Sequence, residues 1–155
     1  MLRQLVALLL LLPALAAPSA LQAKDKLPKV LAVAPGTPLH AEIVDAAQDA
    51  VAAKLGLPVR LDATELRAGG GFAFLAATVT APDGSEIDFS ETPYRAALED
   101  GMFDGPQLWA LLGERDGVWS VLEQDIGPTD AWYLYWPSHY EGASCELVFE
   151  GFTNC

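Results

Sequence analysis

The chain has 155 residues, 52% of them hydrophobic, and its 21 acidic against 9 basic side chains give a formal charge of −12. That balance repels phosphate backbones and anionic lipid headgroups, so nucleic acid is not an expected partner. Once the N-terminal leader is set aside, about 130 residues remain, enough for one domain with a real core.

The leader comes first. Arg3 precedes an apolar run from Leu5 to Leu12, which Pro13 closes and the small residues Ala14, Ala16 and Ala17 follow. A charged start, an apolar stretch and an Ala-x-Ala step predict a secretory signal peptide over residues 1–23, cut after Ala16 or after Ala23. A membrane-crossing helix needs roughly 20 apolar residues, and Pro13, Pro18 and Gln22 interrupt this one, so no stable membrane anchor is expected after cleavage. No cysteine near the cut invites a lipid, and Arg3 has no arginine neighbour that would make a twin-arginine signal. The reading is an exported protein, periplasmic or extracellular. Losing Arg3 makes the remainder one unit more negative.

Residues 24–36 carry Lys24, Lys26, Lys29, Pro28 and Pro35 and read as an extended lead-in; residues 37–155 read as a single α+β domain. Thr37 can cap a helix and Pro38 suits its first position. Leu39, Ile43, Ala47, Ala50, Val51 and Leu55 then repeat at helical spacing until Gly56 and Pro58 stop it. From Val59 the period becomes two, with Val59, Leu61 and Ala63 apolar against Arg60, Asp62 and Thr64, which predicts a half-buried strand. Gly69-Gly70-Gly71 connects it to a second strand, Phe72 to Thr80, as a hairpin. Pro82-Asp83-Gly84 is a turn that should lead into a third strand, Glu86 to Phe89.

Glu91 to Asp104 reads as a loop with helical character, broken by Gly101 and Gly105. Gln107–Glu114 and Val118–Gln124 are two more strands around Asp116-Gly117, a strong hairpin signal. Thr129 or Asp130 should cap a short aromatic helix through Trp136, limited by Pro137. The whole predicts an N-terminal helix on a curved antiparallel sheet of about five strands, with a short C-terminal aromatic helix. Cys145 and Cys155, in an oxidising compartment and without the C-x-x-C spacing of metal or redox pairs, predict a disulfide.

Gly71-Phe72-Ala73-Phe74, Met102-Phe103-Asp104, the hairpin from Leu111 to Val121 and Ile126-Gly127-Pro128-Thr129-Asp130 together resemble a group of small exported bacterial proteins. The likeness spans about residues 37–140. The Asp116-Gly117-Val118-Trp119-Ser120-Val121 hairpin is also similar to the late strands of nuclear transport factor 2-like, cone-shaped α+β domains. That resemblance implies a pocket between helix and curved sheet, and implies no reaction.

Candidate chemistry is sparse. His40 and His139 are the only histidines, far apart, and neither has zinc-ligand spacing. Asp83 to Asp88 lacks the ladder of an EF-hand loop, and Asp100 and Asp104 are explained by turn chemistry as readily as by calcium. No nucleophile elbow or phosphate loop is present, so no metal or cofactor is expected. The richest stretch runs from Asp125 to Trp136, where two acids flank a Gly-Pro step and four large aromatics follow. Phe72, Phe74, Trp109, Trp119, Trp132, Tyr135 and Trp136 are the candidate pocket walls, and they also suit a core. Asp125, Asp130 and His40 are the candidate proton-transfer groups.

Three functions fit. The first is a non-enzymatic module binding a small molecule or an envelope protein. The second is a cofactor-free isomerase or dehydratase using carboxylate acid–base chemistry, and the third an accessory envelope protein with a structural role.

Overall fold

The computed structural model describes residues 29–152 and 155; the predicted signal peptide and the start of the lead-in lie outside the described residues. Helix α1 spans Pro38–Leu55. Its start is fixed as the sequence dictates: Thr37 Oγ1 accepts from the His40 N–H at 3.2 Å, satisfying one free amide of the first turn. Its end is Gly56 at φ +74°, a left-handed conformation that glycine adopts without steric cost. Ile43, Ala47, Val51 and Leu55, spaced four apart, form the buried stripe.

Among the described residues the sheet has five antiparallel strands in sequential order: β1 (Leu31–Ala32), β2 (Arg60–Gly69), β3 (Phe72–Thr80), β4 (Gln107–Arg115) and β5 (Val118–Ile126). It is open, with β1 and β5 as its two edges. The strand count matches the expectation, yet one member differs. Glu86–Phe89 is not a strand; the fifth strand is β1, inside the extended lead-in. Asp88 Oδ1 accepts from the Ser90 N–H at 2.9 Å and turns the chain into a single 3₁₀ turn, Phe89–Glu91, offering the backbone a local alternative to a ladder. Phe89 then packs with Tyr94 and Phe103, ring centroids 6.2 and 4.7 Å away, under the loop that carries α2 (Arg95–Glu99).

Two β-bulges set the faces of the sheet. Ala63 pairs with Ala77 and Glu65 with Ala76, leaving Thr64 extra in β2; Val121 pairs with Leu112 and Glu123 with Leu111, leaving Leu122 extra in β5. Side chains alternate strictly along a strand, so one extra residue exchanges the faces for everything after it. Leu61 and Ala63 give way to Leu66 and Ala68 on the helix side, while Glu65 and Arg67 turn to the opposite side. In β5, Trp119 and Val121 face α1, and Glu123 faces away from it.

The face toward α1 is filled by Leu75, Ala77, Leu108, Ala110, Leu112 and their neighbours, most with no exposed surface. The other face, with Phe74 and Leu111, is covered by the C-terminal segment: a 3₁₀ turn Trp132–Tyr135, α3 (Trp136–His139) and α4 (Cys145–Val148). The expected short aromatic helix therefore exists but is displaced. Asp130 makes no cap, since Ala131 holds that position without a side-chain bond, and Pro137 sits in the first turn of α3, where a missing N–H costs nothing. Cys145 and Cys155 are disulfide-bonded, their Cα atoms 5.7 Å apart.

Candidate functional site

Two charged side chains, both re-aimed by the bulges, hold the C-terminal segment on the sheet. Arg67 is only 6% exposed. Its Nε donates to the Leu147 carbonyl at 2.7 Å and its Nη2 to the Val148 carbonyl at 2.9 Å, while Nη1 pairs with Glu65. A cation at the last carbonyls of α4 satisfies acceptors that the helix cannot. The guanidinium also lies 4.8 Å from the Phe74 ring centroid. Burial pushes its pKa down, and Glu150 partly offsets that.

Glu123 is the second pin. Its Oε2 accepts from Tyr135 Oη at 2.6 Å and Trp136 Nε1 at 2.8 Å, and its Oε1 from Tyr140 Oη at 2.6 Å. Burial opposes its ionisation, but the three donors outweigh burial and hold the carboxyl below the ordinary glutamate range. Burial first, and Glu123 second, push Tyr140 up to about 12, so both partners keep the protonation states the bonds require.

Beside Glu123 lies an open groove of about 460 Å³ walled by Lys54, Leu122, Glu123, Gln124, Asp125 and Trp132. Asp125 Oδ1 accepts from Tyr94 Oη at 2.6 Å and from Lys54 Nζ at 3.2 Å, and Lys54 also reaches the Gln124 carbonyl at 3.3 Å. Tyr94 is raised in pKa, chiefly by burial and then by its bond to Asp125. Two buried polar atoms in the groove walls, Gln124 Oε1 and Trp132 Nε1, have no partner among the described residues.

The groove continues the outer edge of β5. The Gln124 carbonyl and the Ile126 N–H, which meets Tyr94 Oη at 3.2 Å, point outward from the ladder. Alternation across the bulge directs the main-chain groups of Trp119 and Val121 outward as well. No strand pairs with this edge among the described residues. The opposite edge is closed over much of its length: β1 pairs with Ala68 and Arg67, Val33 N–H donates to the Leu66 carbonyl at 2.9 Å, and Gln48 Oε1 accepts from the Leu61 N–H at 3.2 Å.

The predicted site residues divide accordingly. Asp125 and Trp132 meet in the groove, with Tyr135 6.0 Å from Trp132 between ring centroids. Phe72, Phe74, Trp109 and Trp136 belong to the aromatic layer under the C-terminal segment, where Trp109 stacks on Tyr133 at 5.6 Å. Trp119 packs on the helix face. Asp130 is exposed. His40 lines a separate slot of about 320 Å³ with Glu65, Arg67 and Glu150, near where β1 and β2 diverge. Sequence reasoning missed Glu123, Arg67, Lys54 and Tyr94. The signal for Glu123 was the odd-to-even change between Val121 and Ile126, which announces a bulge. Among the described residues no three His, Cys, Asp or Glu side chains converge to hold a metal ion, and no helix is long and apolar enough to cross a membrane. No family model, curated protein or solved structure matches the chain.

Proposed function

We propose that this chain is an exported, non-enzymatic binding module that takes an extended stretch of a partner polypeptide along the outer edge of β5. The observation that carries the reading is the outer edge of β5, which no strand pairs among the described residues: its outward main-chain groups at Trp119 and Val121 lead into the groove, where Lys54 and Tyr94 side chains hold the Gln124 carbonyl and the Ile126 N–H. Strand addition supplies main-chain hydrogen bonds from such an edge, and the flanking groove supplies selectivity for side chains. The disulfide is consistent with export into an oxidising compartment.

Carboxylate acid–base chemistry fits less well. A general acid working near neutral pH needs a raised pKa, whereas Glu123 is lowered and spends both oxygens on the C-terminal segment. Asp125 is likewise committed to Lys54 and Tyr94.

Amide NMR of the mature chain titrated with a pool of short synthetic extended peptides tests the reading. Shifts concentrated at Trp119, Val121 and Gln124 are expected; shifts confined to the His40 slot, or none, overturn it.

A further inference from the structure

Resting on the strand-addition reading, we infer that the segment accepted by β5 is basic, with lysine or arginine at alternate positions directed toward Glu123, Asp125 and Trp132. Three observations converge on that charge. The chain carries 21 acids against 9 bases, and four of the described cations, Lys54, Arg60, Arg67 and Arg95, are already paired with Asp125, Asp62, Glu65 and Glu91. Among the described residues, the charged side chains outside these pairs are therefore mostly acidic. The groove itself holds two carboxylates and a single cation, and that cation is tied to Asp125 and the Gln124 carbonyl. Trp132 and the exposed Tyr135 add ring faces on which a long basic side chain can lie with its charged end near the acids.

The spacing follows from the strand. An added strand directs every second side chain to one face of the sheet, and Glu123 and Asp125, two residues apart after the bulge, present their carboxylates at that same interval. The chain's own basic lead-in, which includes Lys29, enters the fold at β1, on the far edge of the sheet. A second copy brings the same acidic surface, which opposes self-pairing.

The test titrates the full mature chain with three short peptides of equal length alternating valine with lysine, glutamate or serine. It is run on wild type and on Val121→Pro, which removes an outward N–H without touching the ladder. Tryptophan fluorescence and amide NMR read the binding. The lysine peptide is expected to bind about tenfold or more tightly than the serine peptide, to weaken as salt rises, and to be lost in Val121→Pro. Equal affinity for all three peptides, lost in Val121→Pro, overturns the basic preference and leaves strand addition standing. Lysine-peptide binding undiminished in Val121→Pro, or no binding by any peptide, overturns both. Self-association of the peptide-free protein that Val121→Pro abolishes puts a second copy on the edge and overturns the basic partner. Trp132→Leu keeps an apolar group and removes the ring face offered to a basic side chain, so it serves where Val121→Pro fails to fold; a severalfold loss of affinity for the lysine peptide is expected, and unchanged affinity overturns the use of this groove.

Discussion

The two faces of the sheet are covered by different physics. Toward α1 the contact of helix on sheet is mainly aliphatic, made by Ile43, Ala47 and Val51 against Leu75, Leu108 and Leu112, and it rests chiefly on volume and burial, with Gln48 and Lys54 bonding to the sheet only at its margins. Toward the C-terminus a short irregular segment with little helix of its own is held by one buried arginine, one carboxylate with three donors, an aromatic layer and a disulfide. A regular helix presents a continuous stripe and needs few directional bonds to stay in place. A segment broken into turns has unsatisfied ends, and side chains from the sheet must meet them.

Substitutions should separate the two mechanisms. Ile43→Ala, which empties a fully buried site, is expected to cost about 2–5 kcal/mol in urea unfolding and to lower the stability of the whole domain. Replacing both Cys145 and Cys155 by serine should cost about 2–3 kcal/mol and loosen the C-terminal segment first, seen as earlier amide exchange there than in α1. A uniform loss of protection would break the contrast between the faces.

Glu123→Gln should cost about 1–2 kcal/mol, because a charged acceptor of three bonds becomes a neutral one. It also sharpens the contrast through pH. The folded carboxyl has a lowered pKa, so its contribution is fully present above the ordinary glutamate value and is lost as pH falls through the folded value. Wild type should therefore shed its near-ultraviolet aromatic signal in acid more steeply than Glu123→Gln, while far-ultraviolet helix signal falls alike in both. The smallest effect belongs to Val121→Pro, expected to cost about 1 kcal/mol, since the outward N–H that it removes takes no part in the ladder but the partly buried Val121 side chain loses packing on the α1 face.

What was legible in the sequence follows the same division. Thr37, Pro38, the four-residue spacing of Ile43 to Leu55 and Gly56 define α1 almost residue by residue, and Phe72–Thr80 and the Asp116-Gly117 turn are equally plain. These are local rules of cap, period and turn. Glu86–Phe89 misled because Ile87 and Phe89 alternate like a strand, while the diverting bond comes from Asp88. Leu31–Ala32 was hidden inside a proline-bearing lead-in, too short to show a period. The candidate site was half legible: Asp125 and Trp132 stood out as an acid and an indole in one rich stretch. Lys54 and Tyr94 reach Asp125 from 71 and 31 residues away, and no local pattern announces such meetings. Glu123 reads on its own as an ordinary solvated acid.

The bulge at Leu122 makes length, rather than composition, the critical property of β5. Deleting that one residue would leave every chemical group of the strand present, yet send Glu123 and Asp125 into the aliphatic layer beneath α1 and Ile126 out of it. Both the anchor of the C-terminal cover and the acids of the groove would vanish together. Point substitutions along this strand should thus be far better tolerated than a single-residue insertion or deletion, and variants of this chain that keep Glu123 in use should keep the spacing from Trp119 to Ile126 unchanged.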